Sequence, residues 1–543
     1  MSFGLARVLG LGGVVWALAG LAAWAAGTTV AAATPRPAHH GGTLRLALAE
    51  DPHTLDPTLV YSAADYMLLP LLYQPLVDIV EGNRVVDNLT TRWSFSADKR
   101  TLTFELRPGV RFSNGREAVA ADYAAALERA VVVPSAWQQY AGEIQGAAEF
   151  ASGAAKSLAG VSAPEPHKLV VALSRTDASF PYWMALNFGM ALARETVPDW
   201  SKDVGGRPVG TGPYLVEEWV RGARLRLGRN PYCEQPAPPA FDKIEILLGV
   251  DESTQTMMFE RGELDVASLA GGGVSAADFP RMRREPRWGE GWQEAPLFSV
   301  INLNFNVEMP PLDDLRVRRA IISAIDRRHF ERLTGERMTP GHGLITPAMT
   351  GYDPTLPCPP SDPVRARALL REAGYPDGLP QPLKLWHLNT GAAPRWAQAV
   401  QSDLAAAGVR VELRGVTAAV FGDVTTRRRG AELALFANNA NVPDPCTFLD
   451  PFHSRFIADE DAQNPCFYRS AAVDDLLGQA SGCADEARRV ALYQAAQRRI
   501  LADAPTLILG HQKLFALRQP WLRGPLVEPI WWFRFDRVWK EGR

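Results

Sequence analysis

Ile301-Asn302-Leu303-Asn304-Phe305-Asn306-Val307 alternates apolar and amide side chains without a break. A strand has a side-chain period of two, so Ile301, Leu303, Phe305 and Val307 share one face and three asparagines share the other. Such an amide row is either an ordinary polar sheet face or the lining of a cleft. Shorter alternations recur in Leu44, Leu46 and Leu48, in Leu102, Phe104 and Leu106, and in Leu169, Val171 and Leu173. Helical patterns are interleaved with them. Residues 313–333 open on Asp313-Asp314 and place Val317, Ala320, Ile321, Ala324 and Ile325 at helical spacing. Residues 361–373 begin Ser361-Asp362-Pro363 and stop at Gly374, which supplies a cap, a first-turn proline and a C-terminal glycine. Residues 394–407 and 484–503 are Ala-rich and amphipathic. Strands and helices mixed without a strict βαβ rhythm predict an α/β protein with mixed sheets. At roughly 150 residues per folding unit, 543 residues predict about two to four units. With no internal repeat and no low-complexity linker, those units are expected to share strands.

Composition narrows the class. A chain 47% hydrophobic and 22% charged is globular, and a net charge of −3 offers no electrostatic footprint for nucleic acid. Its 57 basic residues are 49 Arg and 8 Lys, a bias that reads as genome composition more than as a recognition surface. At the N-terminus Arg7 precedes an apolar stretch from Val8 to Ala26, followed by the small residues Gly27-Thr28-Thr29-Val30-Ala31-Ala32-Ala33. That is the layout of a secretory signal peptide cleaved after Ala33; the alternative is a permanent membrane anchor, since the run is nearly long enough to span. The first cysteine is Cys233, so no lipidated cysteine follows the leader. The expected home is the bacterial periplasm, as a soluble protein. In that oxidising compartment Cys446 and Cys466 are near enough in sequence to bridge a loop of about 20 residues, worth roughly 3 kcal/mol in the loop-entropy picture.

A search for catalysis returns almost nothing. The mature chain holds no G-x-S-x-G, H-E-x-x-H, G-x-x-x-x-G-K-[ST] or G-x-G-x-x-G. Gly210-Thr211-Gly212 runs into Pro213-Tyr214, where a proline is poor material for a phosphate-cradling helix start, so the glycines are expected to turn the chain into a strand from Tyr214. Histidines stand singly apart from His39-His40, which predicts no metal cluster and no cofactor. Fifteen Trp, 12 Tyr and 22 Phe remain, more ring surface than cores alone require at Trp531-Trp532-Phe533. An exported, aromatic-rich, apparently non-catalytic chain fits a binding protein with an enclosed pocket.

A series of ordered motifs then carries a resemblance. It begins with Gly42-Thr43-Leu44, Leu55-Asp56-Pro57 and Leu72-Tyr73-Gln74-Pro75-Leu76-Val77. Leu102 to Phe112, Asn114-Gly115, Ala121-Asp122, Val209 to Tyr214 and Arg229-Asn230-Pro231-Tyr232 follow. Gly262-Glu263-Leu264-Asp265, Pro311-Leu312, Arg316 to Ile321, Ala324 to Arg327, Leu369-Leu370 and Glu372 to Pro376 complete it. In this order, over nearly the whole mature chain, they resemble the family 5 extracellular solute-binding proteins, the dipeptide-, oligopeptide- and nickel-binding components of bacterial ABC importers. The resemblance implies a two-lobe periplasmic binding protein of type II, cluster C-like, that closes on its solute and is not an enzyme. Lobe I would comprise 34–296 and 505–543, with an extra subdomain inserted over 84–206, and lobe II 297–504. The strand 300–307 and the segment Pro505–Leu509 would be the two hinge crossovers. The implied partners are a peptide-like small solute and an inner-membrane ABC permease, and the implied state is a monomer.

Ligand chemistry is where the sequence departs from that pattern. Peptide-binding members hold the peptide's α-ammonium with an aspartate a few residues before an acidic-Pro pair. Here the stretch reads Phe436-Ala437-Asn438-Asn439-Ala440-Asn441-Val442-Pro443-Asp444-Pro445. Counting back from Asp444-Pro445 puts Asn441 in the aspartate's place and Asn438 where an aromatic often sits. An amide hydrogen-bonds an ammonium without opposing its charge, about 1 kcal/mol against roughly 1.5–3 for the charged pair. Dipeptide binders grip the carboxylate with an arginine, and counting back from Gln401-Ser402-Asp403-Leu404 lands near His387. The implied ligand-binding set is therefore Asn438, Asn439, Asn441, Asp444 and His387, with Tyr61, Trp137 and Tyr140 as aromatic candidates from lobe I. Such a pocket suits a longer or blocked peptide, or another cargo: a nickel chelate, haem, an opine or an oligosaccharide. A ligand-sensing partner of a membrane receptor, or an exported hydrolase, are the readings of a different class; no nucleophile–base pair supports the hydrolase.

Overall fold

The computed structural model describes residues 41–541 apart from 81–82, 136, 198, 200, 205, 234–238, 268–273, 275–276, 336, 441 and 530–531. The expected leader 1–33 and Asn441 thus lie outside the described residues, as does Trp531. The alternating stretch forms the end of a long strand, Trp292–Phe305. It sits inside a six-stranded sheet ordered Met338–Pro340, Thr506–Leu517, Trp292–Phe305, Leu433–Asn439, Leu383–Leu388, Val411–Val416. The first four strands pair antiparallel and the last three parallel, so the sheet is mixed.

Both faces of that sheet are buried. Ile301, Leu303 and Phe305 join Leu385, Leu433 and Leu435 in a core closed by the helices Leu315–Ala324 and Ala393–Ala406. On the other face Phe298 and Val300 join a second core with the helices Ala471–Ser481 and Glu486–Asp503. Asn302, Asn304 and Asn306 lie on this second face and are only 3–4% exposed. They are tied into one network, in which Asn302 Nδ2 donates to Asn304 Oδ1 at 2.6 Å and the Thr506 hydroxyl donates to the same oxygen at 2.8 Å, with Asn302 Oδ1 buried and without a partner among the described residues. Asn306 Nδ2 donates to the Arg428 carbonyl at 2.8 Å. Buried amides demand such partners, so the row is an internal network and not the lining of a cleft.

Trp292–Phe305 and Thr506–Leu517 pair along nearly their whole length, with a register shift between Pro296 and Val300. At one end Phe515 and Leu517 pack with Phe259, Phe279 and Trp288; at the other the strands enter the two cores just described. Pro296 has no N–H for the ladder, which accounts for a break there.

Two further sheets lie toward the N-terminus. One is ordered Thr43–Ala47, Lys243–Leu247, Arg224–Arg229, Tyr214–Val220, its first pair parallel and the rest antiparallel. The other is antiparallel throughout and ordered Thr90–Phe95, Thr101–Leu106, Lys168–Ala172, Val161–Glu165. The Leu44, Leu102 and Leu169 alternations all fall in these strands.

Local chemistry explains where elements begin and end. Residues 313–333 are two helices, Leu315–Ala324 and Arg327–Leu333, where the spacing predicts one. Asp326 is extended and its carboxylate accepts from the Arg328 N–H, so it ends one helix's run and caps the next. The helices Pro363–Glu372, Ala393–Ala406 and Glu486–Asp503 match expectation, capped by Asp362 and Asp485 in the first and last. Gly210 and Gly212 do lead into a strand, Tyr214–Val220, but the glycines answer to crowding. A Cβ on either would stand 2.2 Å from the Leu72 peptide, at the end of the helix Ala63–Leu72. All five cysteines are free, so the bridge expected between Cys446 and Cys466 is not formed. Cys446 is drawn to the Asp444 carboxylate through its own N–H, whereas Cys466 is tied to Asn464 and to the Val307 N–H. Among the described residues no helix is long and apolar enough to cross a membrane.

Candidate binding cleft

Facing the six-stranded sheet is a wall of rings contributed by the N-terminal segment. Tyr140 stacks on Trp183 at 4.0 Å between centroids, and Trp183 stands 6.0 Å from Trp137 and 5.9 Å from Phe188. Tyr66 meets Trp137 edge-on at 5.6 Å. Trp137 Nε1 donates to the Val60 carbonyl at 2.5 Å, which turns the indole inward and leaves it 6% exposed. Tyr140 is half-buried, and Tyr61, packed at 4.7 Å on His53, is 61% exposed.

Opposite stands the loop that leaves the strand Leu433–Asn439. Its register pairs Asn438 with Val300 and Asn439 with Ser299, and the Ala440 N–H donates to the Phe298 carbonyl at 2.7 Å. Asn438 is half-buried and Asn439 exposed. Val442 is 1% exposed and belongs to the large apolar cluster of the N-terminal segment, and Pro443, Asp444 and Pro445 share a groove with Tyr182, so this loop is packed against that segment. Two side-chain contacts flank it: Gln463 Nε2 donates to Gln139 Oε1 at 3.0 Å, and Asn83 Nδ2 to the Ala348 carbonyl at 2.9 Å.

The charges here are buried and coupled. Asp444 and Arg489 make two parallel bonds of 2.6 Å, with 3% and 8% of their side chains exposed. Burial pushes the Asp444 carboxyl up, but the guanidinium more than offsets this and holds it below its usual range. Among the described residues Asp450 has the Tyr493 hydroxyl, at 3.3 Å, as its side-chain donor. Burial first, and the Asp444 charge second, push its carboxyl up to about 7. Asp177, across the cleft, is likewise raised by burial. Desolvation also raises the Cys446 thiol well above its ordinary value, which keeps it protonated. Among the described residues no group of three or more His, Cys, Asp and Glu is placed to hold a metal.

Trp137 and Tyr140 pack together at 6.4 Å between ring centroids, Asn438 and Asn439 end the strand Leu433–Asn439, and three expectations are corrected. Asp444 is consumed by Arg489, since both its oxygens accept guanidinium hydrogens, and it is not free for a solute. His387 lies on the strand Leu383–Leu388 on the side of Leu383 and Leu385, is 5% exposed, and turns Nδ1 to the Leu388 carbonyl at 2.8 Å. Strand alternation puts Trp386 and Leu388 on the other face instead, where Trp386 Nε1 is buried without an acceptor. Trp137 presents little surface because its polar edge is already engaged. Arg489, Gln139, Gln463 and Val442 were not singled out from the sequence. Nothing in an amphipathic helix marks Arg489 as the partner of an aspartate 45 residues earlier.

Comparison with known proteins accords with this geometry. The profile described as bacterial extracellular solute-binding proteins, family 5 Middle, matches residues 84–459. Di/tripeptide-binding protein 2 of Pseudomonas aeruginosa (strain UCBPP-PA14) is 28% identical over 497 residues, 86% of this chain and 89% of that protein. The glutathione-binding protein GsiB of Escherichia coli (strain K12) is 26% identical over 493 residues, 89% of this chain and 91% of that protein. Among solved structures, clavulanic acid biosynthesis oligopeptide binding protein 2 superposes with a TM-score of 0.82 at 24% identity, covering 92% of this chain and 96% of its own.

Proposed function

We propose that this chain, which belongs to the bacterial extracellular solute-binding proteins of family 5, captures a peptide or peptide-like solute between two lobes and hands it to an inner-membrane ABC permease. The family is one of binding proteins and not of enzymes. Relatives named for di- and tripeptides and for glutathione support a peptide-like cargo. The observation that carries the reading is the burial of Val442, on the segment after the strand Leu433–Asn439, in the apolar cluster of the N-terminal segment. In this reading lobe I is 34–296 with 505–543, the insert is 84–206 and lobe II is 297–504. Segregation of the apolar clusters supports the division, and the register break at Pro296–Val300 stands where a hinge would flex. Export through the leader 1–33 to the periplasm, without a lipid anchor, and action as a monomer complete the proposal.

Asn438, Asn439 and Asn441 would then offer neutral hydrogen bonds to the solute, with Tyr61 and Tyr140 as ring surface. Without a free carboxylate at this loop, the site suits peptides that are blocked or extended at the amino end. Native mass spectrometry of the exported chain from Thr34, with its cargo retained, tests the reading. Added masses that resolve into peptides on denaturation support it; one discrete non-peptide mass keeps the receptor and overturns the cargo.

A further inference from the structure

Beside the seated loop, a groove of about 390 Å³ runs along the seam between the insert and the C-terminal helices. One wall is Asn83, Arg84, Trp93, Phe95, Lys99 and Tyr182; the other includes Pro443, Asp444, Glu486 and Arg489. It therefore shares Asn83, Asp444 and Arg489 with the candidate cleft, while Arg84, Trp93, Phe95 and Lys99 belong to the groove alone.

Its charges do not cancel. Asp444 and Arg489 neutralise each other. Lys202, Lys243, Lys513 and Lys540 pair with carboxylates, whereas Lys99, like Lys156, Lys168 and Lys384, has no such partner among the described residues. Its ammonium lies 5.0 Å from the centroid of the Phe95 ring. The backbone that presents it is constrained: Lys99 has φ of 52°, its N–H donates to the Ser96 carbonyl and its carbonyl accepts from the Asp177 N–H. Arg84, on the strand Arg84–Asp87, is exposed and also unpaired among the described residues. Among the lining residues Glu486 opposes these two cations. A half-buried ammonium against a ring, next to a second cation and a tryptophan, attracts an anion carried on an apolar stem.

We infer that this groove is a second contact site for the solute, in which Lys99 and Arg84 receive a terminal carboxylate while Trp93 and Phe95 pack against the residue that bears it. The inference rests on the peptide-receptor reading above and adds to it a preference for chains long enough to leave the cleft with a free acid end.

The test uses the mature chain, purged of cargo, with random-sequence hexapeptide libraries in free-acid and carboxamide form, the retained members being counted by mass spectrometry. Wild type is expected to retain acids over amides by about tenfold, the worth of one charge-assisted hydrogen bond. Lys99→Met, which keeps the stem over Phe95, and Arg84→Gln are each expected to reduce that ratio several-fold, with no change in retention of amides. Arg84 is exposed, so its variant carries the test should Lys99→Met fail to fold. An acid preference that is absent, or that survives both substitutions, overturns the groove and leaves the receptor reading standing. Retention of no peptide of either kind overturns both.

Discussion

Arg489→Met isolates the most consequential ion pair of the cleft. In the native chain two 2.6 Å bonds join Arg489 and Asp444, and neither side chain is more than 8% exposed. Methionine retains the apolar stem, so the loss is that of charge and hydrogen bonds. Asp444 is left as a buried carboxylate whose remaining donor is the Cys446 N–H at 2.9 Å. At about 4 Å between charge centres and an effective dielectric of about 20, the lost attraction is about 4 kcal/mol. Broken buried pairs cost about 3–5 kcal/mol, because the surviving charge has no counter-ion. The assay is urea unfolding at pH 7, read on the transition that reports the helix Glu486–Asp503, since a chain with several cores need not unfold in one step. The Asp444 carboxyl is held below its unfolded value, so the pair's contribution is complete above about pH 4 and is lost as pH falls through the folded value. The deficit of Arg489→Met should accordingly shrink below pH 4. Adding Asp444→Asn removes the orphaned charge and should recover about 2 kcal/mol. A loss under 0.5 kcal/mol at pH 7, or a double variant as unstable as Arg489→Met alone, would refute the reasoning.

Four further outcomes are expected. Asp450 carries a carboxyl raised to about 7, so it favours the folded state at low pH and that advantage is lost as pH rises from about 4 to 7; Asp450→Asn should flatten the stability profile in that window, worth about 4 kcal/mol across it, as seen in melting curves from about pH 4 to 8. Gly210→Ala drives a Cβ to 2.2 Å from the Leu72 carbonyl oxygen and should cost about 2–4 kcal/mol by denaturant titration; a neutral result would mean that the contact relaxes freely. Alkylation of the unfolded chain without reductant should add five adducts to the intact mass, and three would restore one bridge. Asn441→Asp should tighten binding of peptides with free amino termini by about tenfold in calorimetry; unchanged affinity removes Asn441 from the contact set.

Much of this molecule was written in its local pattern. Period-two alternation located strands at Leu44, Leu102, Leu169 and Ile301 because side-chain direction within one strand follows from the backbone alone. Asp362, before its helix, marked a start because the cap bond spans only three residues. The ordered motifs identified the family for a similar reason, each being a short, contiguous constraint. The division of 313–333 into two helices escaped that pattern, since Asp326 fits a helix interior and a cap equally well by composition.

Only the tertiary structure decided which polar groups are free to act. Whether the asparagines of 302–306 line a cleft or zip up an interior depends on Thr506, two hundred residues away, and on helices that close over them. Asp444 and His387 carry the right chemistry for a solute, yet one is claimed by Arg489 and the other faces a core. Lys99, an unremarkable member of a turn, makes no ion pair among the described residues although the fold brings it to a seam that also holds Glu486. Sequence specifies the donors, acceptors and charges; burial and pairing, which are properties of chain segments brought together from far apart, determine which of them remain available for binding.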